Sequence, residues 1–376
     1  MRVAIVHNLQ RGGARRRLSN HMAHMTCDMV EVCLETATPI TSNAIVVPLR
    51  QRAPFRSRVV RPPLRYLDLG ALVLAWRRAA GAIRGSGAEV VYLNPCRYLQ
   101  SPTVVLGRIP RALYFCDETR RVDTEAAGQA SRNQSTSTIY APLYEAQRRL
   151  DRLAASRVAR VATNSRYTAS EIDRVYHRTA DVVTLGVAES LLSGSRGGHP
   201  APNLLSVGML VQGKGHDLAL RSLAMTARRR PLVIVAPRPD PAEEARLRAL
   251  AAEVGVEIDL RIAISDAELG ELYATSHATL YLARREPLGL AALEAQACGC
   301  PVIVADEGGL PETIIDGVTG WKAPRDPAMV ARLIDLLEDP TIREQASAAA
   351  AAHGRRWSWV SSAASIQRLL AEVRQG

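Results

Sequence analysis

Aromatic residues are scarce and lysine is almost missing. Phe, Trp and Tyr make up 4% of the 376 residues, and Lys214 and Lys322 are the two lysines among 48 basic residues. So few aromatics exclude the stacking platforms of nucleic-acid binders, and no nucleic-acid partner is expected. No apolar run reaches the roughly 18 residues that a membrane-spanning helix needs. The first residues, Met-Arg-Val-Ala-Ile-Val-His, enter a strand-like apolar run without signal-peptide organisation, and a cytoplasmic location is the expectation. The six cysteines, Cys27, Cys33, Cys96, Cys116, Cys298 and Cys300, include no C-x-x-C pair. Cys298-Gly299-Cys300 is too tight for an ordinary disulfide, and all six read as buried reduced thiols. No D-x-D motif or histidine cluster offers a metal site, so no metal is expected.

What is present is the composition of a soluble globular chain, 47% apolar and 23% charged, with a length that suggests two domains. The net charge of +11 is uneven. Residues 1–195 carry 28 basic against 15 acidic side chains, a net +13, whereas residues 196–376 carry 20 against 22, a net −2. A basic first half favours an anionic partner such as a phosphate or an anionic membrane surface, the latter implying a place on the inner membrane face. A solvated arginine face is the plainer alternative. The heavy use of Ala, and of Arg over Lys, suggests a G+C-rich bacterial source.

Short apolar runs alternate with amphipathic helical stretches, twice over. In the first half, strands are expected at 3–6, 30–34, 44–47, 89–93, 112–115 and 158–163, with helices from Arg16 and at 67–83 and 140–155. The turn-rich stretch 193–200 reads as a linker. Beyond it, strands are expected at 204–207, 232–235, 258–262, 278–282 and 301–305, with helices at 217–227, 241–254, 290–297, 327–337, 341–353 and 359–373. Such alternation implies parallel sheets covered on both faces, with ligands at the carboxyl ends of the strands. The expected fold class is therefore α/β, two Rossmann-like doubly wound domains facing a central cleft. Residues 1–195 form the first domain, 196–356 the second, and 357–376 a last helix.

The segment Gly208-Met209-Leu210-Val211-Gln212-Gly213-Lys214-Gly215 is one residue short of the phosphate-binding motif G-x-x-x-x-G-K-[ST]. Its last position, Gly215, lacks the hydroxyl that binds magnesium in that motif. The run Val302-Ile303-Val304-Ala305-Asp306-Glu307 would supply the matching acids, so a P-loop-like NTPase is a rival reading. Downstream, Glu286 and Glu294 flank Pro287-Leu288-Gly289-Leu290. This places Glu286 in a loop and Glu294 about one and a half turns into a helix. The amides of Gly289 and Leu290 then form an anion site at the helix N-terminus. Glu294 is placed to accept hydrogen bonds from a ribose diol.

Taken together, several elements closely resemble retaining glycosyltransferases of the GT-B fold, family 4. They are Gly208 with Lys214-Gly215, the two glutamates seven residues apart, Ala297-Cys298-Gly299 followed by Pro301, Gly308-Gly309-Leu310-Pro311-Glu312, and Asp316-Gly317 with Gly320. The resemblance is strong over residues 158–325. It implies a nucleoside diphosphate sugar as donor substrate, no other cofactor, and a small-molecule or glycan hydroxyl acceptor. It implies that Lys214 contacts the donor diphosphate, that Glu286 contacts the transferred sugar, and that Glu294 holds the ribose. The backbone around Leu288, Gly289 and Leu290 would bind phosphate or sugar oxygens, and Gly12-Gly13 resembles the family's first glycine loop. The last helix would cross back to the first domain.

Two positions depart from the family. Met209 stands where relatives have an arginine on the diphosphate, and Arg284 or Arg285 is the expected substitute. Asp117 stands where many relatives have a histidine near the donor sugar, which implies a different hydrogen-bonding group on that sugar, as in an amino sugar. With Lys214 and Glu286, Asp117 completes the candidate catalytic set. Arg97, Tyr98, Arg120 and Arg121 fall in loop-like segments and are the candidate acceptor contacts. A non-catalytic sugar-nucleotide-binding protein is the third reading, because of the missing arginine and histidine.

Overall fold

The computed structural model describes residues 1–10, 12–49, 61–96, 99–119, 141–192 and 203–376. These divide into two compact units, Met1–Thr184 with Val360–Gly376, and Leu185–Trp359.

The first unit runs β1 (Arg2–Asn8), α1 (Gly13–His24), β2 (Asp28–Leu34), β3 (Ile45–Val47), α2 (Arg61–Gly85), β4 (Val90–Cys96) and a 3-10 turn at Thr103–Leu106. It continues with β5 (Ala112–Phe115), α3 (Ala141–Arg157), β6 (Arg160–Thr163), α4 (Arg166–Tyr176) and β7 (Asp181–Val182). Its seven strands lie in the order β3-β2-β1-β4-β5-β6-β7, all pairs parallel. Val3, Ala4, Ile5 and Val6 are fully buried, as expected for a central parallel strand covered on both faces.

The second unit runs α5 (Glu189–Leu192), β8 (Leu204–Val207), α6 (His216–Leu223), β9 (Leu232–Ala236), α7 (Pro241–Val254), β10 (Ile258–Ile262), α8 (Asp266–Thr275) and β11 (Thr279–Tyr281). Next come α9 (Leu290–Ala297), β12 (Val302–Ala305), a 3-10 turn at Leu310–Thr313, β13 (Gly320–Ala323), α10 (Pro327–Leu336) and α11 (Pro340–Gly354). Its six parallel strands lie in the order β10-β9-β8-β11-β12-β13. Strand order therefore reverses between β8 and β11, the place where a doubly wound sheet opens a crevice for ligands.

The division between the units differs from the expected 195/196. Residues from Leu185 onward pack on the second unit: Val187 N–H donates to Trp357 O (3.0 Å), Ser190 Oγ to Asp266 Oδ2 (2.8 Å), and Cys298 Sγ approaches Leu191 O (3.4 Å). The stretch expected as a linker, 193–200, lies outside the described residues. The last helix, α12 (Trp359–Gln375), belongs to the first unit from Val360 on. There Ser362 Oγ meets His21 Nε2 at 2.9 Å, Gln367 Oε1 accepts from Thr26 N–H at 3.0 Å, and Arg374 pairs with Glu89 at 2.8 Å.

Candidate active site

At the carboxyl end of β8 the chain turns through Gly208–Gly215 into α6. Gly215 caps that helix at φ 87°, and a Cβ there would press on the Leu282 carbonyl. Only glycine fits both demands. The turn is tied to the loop after β11 by Arg284 N–H donating to Gly213 O (2.7 Å). Gly208 lies over the Lys214 stem, 3.6 Å from Cδ at the nearest point of a would-be Cβ. From this frame Lys214 Nζ donates to Glu286 Oε2 at 2.7 Å, with the two side chains 16% and 19% exposed. Lys214 and Glu286, 72 positions apart in the chain, thus form one charged pair at the β8/β11 switch point.

The Glu286 loop is held from below by the second glycine pair. Gly309 N–H donates to Glu286 O (2.8 Å), and a Cβ on Gly309 would strike the Pro287 carbonyl. Gly289, at φ 103°, begins α9 and lies against Tyr281 and Leu310. Ala292 N–H donates to Gly289 O (3.1 Å), and the start of α9 carries the positive end of the helix dipole. Leu288 is buried and Leu290 half-buried at this helix start. Glu294, one and a half turns in, is 5% exposed, with Tyr273 Oη 3.4 Å from its Oε2.

Arg284 and Arg285 are exposed beside this loop, and Arg285 adopts φ 44° while its amide donates to Glu307 Oε1 (2.7 Å). Sequence reasoning missed two further cations. Arg325 donates to the Leu282 carbonyl, and burial, reinforced by Arg284, lowers its pKa, with Glu307 and Asp217 opposing. Arg238, in the loop after β9, brings Nη2 to 3.6 Å from Met209 Sδ. Asp306 lies 3.5 Å from Lys322 Nζ and Glu307 holds the Arg285 amide, so both acids of the P-loop-like reading have protein partners. Asp316 and Gly317 shape a turn: Asp316 Oδ1 accepts from Lys322 N–H (3.1 Å), and Gly317 N–H donates to Gly320 O (2.9 Å).

His216, the first residue of α6, is buried, and burial pushes its pKa down to about 4, with the Met209 carbonyl opposing. The neutral ring donates from Nε2 to Met209 O (3.3 Å) and accepts at Nδ1 from Ser206 Oγ (2.8 Å). It braces the turn that presents Lys214.

In the first unit, Gly12 is in extended backbone ahead of α1, and neither Gly12 nor Gly13 has an atom within 4 Å of a would-be Cβ. Asp117 follows β5, and both of its oxygens are held by Arg17, Nε to Oδ1 and Nη2 to Oδ2, each at 2.7 Å. Arg17 is 1% exposed, lies 4.0 Å over the Phe115 ring, and donates from Nη1 to Tyr92 Oη (3.1 Å) and Asn94 Oδ1 (3.0 Å). The carboxylate expected to face a sugar is thus anchored from behind by a buried guanidinium, which leaves only its remaining lone pairs for a ligand. Nothing in the run Arg15-Arg16-Arg17 marks the third arginine as the buried one. Arg97, Tyr98, Arg120 and Arg121 lie outside the described residues.

Among the described residues, His7, Glu31 and Cys33 are the group with ligand atoms close enough to share a metal, and all three are buried. Their bonds are largely made within the protein. Glu31 accepts from His7 Nε2 (2.8 Å), Ile40 N–H (2.8 Å) and Thr41 N–H and Oγ1 (both 2.7 Å), and His7 Nδ1 accepts from Leu9 N–H (3.2 Å). Burial would raise the Glu31 pKa, but these bonds outweigh it and bring it to about 2. Burial, then Glu31, pushes the Cys33 thiol up to about 12, so it stays protonated and a poor ligand.

Two parallel doubly wound sheets, the second with a glycine-framed cation and a helix start at its switch point, define a Rossmann-like α/β protein of the GT-B type. Residues 198–353 match the family described as Glycosyl transferases group 1. A D-inositol 3-phosphate glycosyltransferase of Thermobispora bispora is 33% identical over 239 residues, which covers 57% of this chain and 56% of the relative. The protein of the same name from Streptomyces bingchenggensis is 37% identical over 139 residues, 36% of this chain and 30% of the relative. The chain therefore matches between about a third and just over half of the length of these curated relatives. Among solved structures, sucrose-phosphate synthase from Thermosynechococcus elongatus superposes with a TM-score of 0.74 at 18% identity over 99% of both chains. HepE of Anabaena, solved with UDP and glucose, gives a TM-score of 0.72 at 16% identity over 99% of this chain and 100% of that one. Among the described residues no helix is long and apolar enough to cross a membrane.

Proposed function

We propose that this protein is a retaining glycosyltransferase that needs no metal ion. It moves a hexose or amino-hexose from a nucleoside diphosphate sugar to a hydroxyl of a small metabolite or of an envelope glycan or lipid. The observation that carries this reading is the Lys214–Glu286 pair at 2.7 Å, set beside the N-terminus of α9 at a switch point. Breaking the bond from the anomeric carbon to phosphate leaves negative charge on the diphosphate. Lys214 and the α9 amides stabilise that charge, as preorganised donors do. Glu286 holds hydroxyls of the sugar, and Glu294 those of the ribose. The acceptor oxygen bonds to the anomeric carbon on the face the diphosphate leaves, and its proton passes to a phosphate oxygen.

A diphosphate needs more positive charge than one lysine shared with a glutamate. Arg238, whose guanidinium lies against Met209, and Arg284, joined by its amide to the Lys214 turn, supply it. The HepE structure holding UDP and glucose supports a uridine donor, and the relatives' printed name supports a phosphorylated polyol as acceptor. The net +13 of residues 1–195 suits such an acceptor, or an anionic lipid surface on the cytoplasmic side.

Thermal unfolding with UDP-, GDP-, ADP- and TDP-sugars, with and without EDTA, tests the reading. One base should stabilise the protein by about 2.7 kcal/mol at 100 times its Kd. Stabilisation lost in EDTA would favour a P-loop-like NTPase instead. Binding without slow donor hydrolysis would favour a non-catalytic sugar-nucleotide-binding protein. Retention is checked by the anomeric configuration of the product.

A further inference from the structure

Four buried polar side chains stand in line behind Asp117. Arg17 grips both carboxylate oxygens at 2.7 Å and donates from Nη1 to Tyr92 Oη at 3.1 Å. Tyr92 Oη meets His21 Nδ1 at 2.9 Å, and His21 Nε2 meets Ser362 Oγ, on α12, at 2.9 Å. Arg17, Tyr92, His21 and Ser362 are at most 1% exposed, whereas the Asp117 side chain is 17% exposed. The chain of bonds therefore starts on the last helix and reaches the surface at Asp117, just past the carboxyl end of β5. Asp117 is fixed through its main chain as well, since its carbonyl accepts from Asn164 Nδ2 at 2.9 Å.

The bonds have a fixed sense. A guanidinium only donates, so Tyr92 Oη accepts from Arg17. Burial, opposed by the charge of Arg17, holds the Tyr92 pKa above its ordinary value, and the phenol keeps its proton. That proton goes to His21 Nδ1, so the ring carries its own on Nε2 and donates it to Ser362 Oγ. Burial first, and then Arg17, keep His21 neutral, as this arrangement requires.

Stability alone does not call for such a chain, because apolar side chains of similar volume often serve as well as a buried ion pair. What the chain supplies is direction. The Arg17 fork takes one lone pair on each Asp117 oxygen, and a fork that cannot turn fixes where the remaining lone pairs point. We propose that Ser362, His21 and Tyr92 hold Arg17, and Arg17 holds Asp117, so that the carboxylate accepts hydrogen bonds from hydroxyls of the donor sugar in one orientation. Asp117 touches the ligand, and the four residues behind it are positioning residues. This rests on the function proposed above, with Asp117 at the donor sugar as the family resemblance implies.

Tyr92→Phe keeps the ring and cuts the chain between Arg17 and His21. The probes are the nucleoside diphosphate sugar that stabilises the wild type in the four-base panel, and the matching free nucleoside diphosphate, both by calorimetry. Tyr92→Phe should bind the free nucleotide as the wild type does and lose roughly tenfold in affinity for the sugar nucleotide, the usual worth of a hydrogen bond to a charged group. In an Arg17→Met, Asp117→Leu background the chain has nothing to hold, and Tyr92→Phe should cost no further affinity, which a double-mutant cycle reads directly. Nitrogen NMR of the His21 ring reports on the chain itself: the proton should sit on Nε2 in the wild type, and the two tautomers should mix in Tyr92→Phe. If Tyr92→Phe does not fold, Ser362→Ala, which removes only the far hydroxyl, carries the same comparison of the two ligands. Equal weakening of both ligands, or the same loss in the apolar background, would reduce the chain to packing and overturn the proposal. A wild-type His21 proton on Nδ1, or unchanged sugar-nucleotide binding in the variant, would overturn it while leaving the transferase reading intact. A wild type that binds none of the panel would sink both, and that result is visible before any variant is made.

Discussion

At the carboxyl edge of the first unit, Asp117 is gripped by Arg17, whose guanidinium is buried among Tyr92, Asn94 and Phe115. At the corresponding edge of the second unit, Lys214 and Glu286 face each other with both side chains part-exposed, framed by glycines at Gly215, Gly289 and Gly309. Among the described residues the first unit has one glycine with positive φ, Gly87, and the second has seven, which concentrates special backbone in the unit that carries the charged pair. One edge closes its polar groups internally with side chains. The other uses close backbone approach to leave a cation and helix amides turned outward. The first pair is held because its Arg17 end is fully buried and leaving that charge unpaired is costly, whereas neither member of the second pair is fully buried, and the two separate more readily when a better anion arrives.

The largest expected effect falls on the closed edge. Asp117→Ala should cost about 3–5 kcal/mol in urea unfolding, because it leaves the Arg17 charge buried without its partner. Replacing both, as Arg17→Met with Asp117→Leu, should recover much of that loss. A cost under about 1 kcal/mol for Asp117→Ala would mean that the two edges do not differ as described. On the open edge the balance reverses. Lys214→Ala should lower kcat by roughly 10²–10³ and change stability by no more than about 1 kcal/mol. Turnover and urea midpoints measured on one preparation check both.

This contrast also explains what the sequence made legible. The strand–helix alternation held because parallel strands covered on both faces are largely apolar runs, and Leu204–Val207, Pro241–Val254 and Leu290–Ala297 lie where the pattern puts them. Some of the elements that escaped were short, such as the four-residue strand Gly320–Ala323 and the two-residue Asp181–Val182, whereas the eleven-residue helix Arg166–Tyr176 carried a readable N-cap in Ser165. Helix Asp266–Thr275 did carry a signal, since Ser265 and Glu268 form a capping box. The open edge was readable because its work falls to glycines at fixed spacing, and only glycine fits those turns. The closed edge was not, because Arg17 is one of three consecutive arginines and its burial depends on Asp117, Tyr92 and Asn94 from distant strands. Arg238 and Arg325 were missed for the same reason: their neighbours become apparent only in the folded sheet.

A third prediction uses the buried histidines that brace the second unit. His216 has an ordinary value of 6.5 and is pushed down to about 4 by burial; His277 is likewise brought to about 4, by burial first and then Arg230. A neutral His277 makes no true ion pair with Glu338 at 3.6 Å. Between pH 6.5 and 4 the unfolded chain takes up protons that the folded unit refuses. Stability from this source is complete above the unfolded value and falls as pH drops toward 4, by about 3 kcal/mol for a fully buried histidine. His216→Gln should flatten the pH dependence of the urea midpoint in this window. In the first unit His21 is shifted the same way, by burial and then Arg17, so His21→Gln tests whether the effect is shared.

The smallest expected change separates structure from ligand binding on the first unit. Gly13 begins α1, has no positive φ, and has open space where a Cβ would go. Gly13→Ala should therefore leave stability unchanged or raise it by about 0.5–1 kcal/mol, since alanine is the better helix former. Gly215→Ala is its counterpart in the second unit, and there the Leu282 carbonyl and the backbone conformation both forbid a side chain. If Gly13 faces the donor phosphate as the family resemblance implies, Gly13→Ala will fold as well as the wild type and still raise the donor KM, because a methyl group keeps the phosphate from the backbone. Unchanged KM and unchanged stability together would remove Gly13 from the donor site and leave donor recognition to the glycines of the second unit.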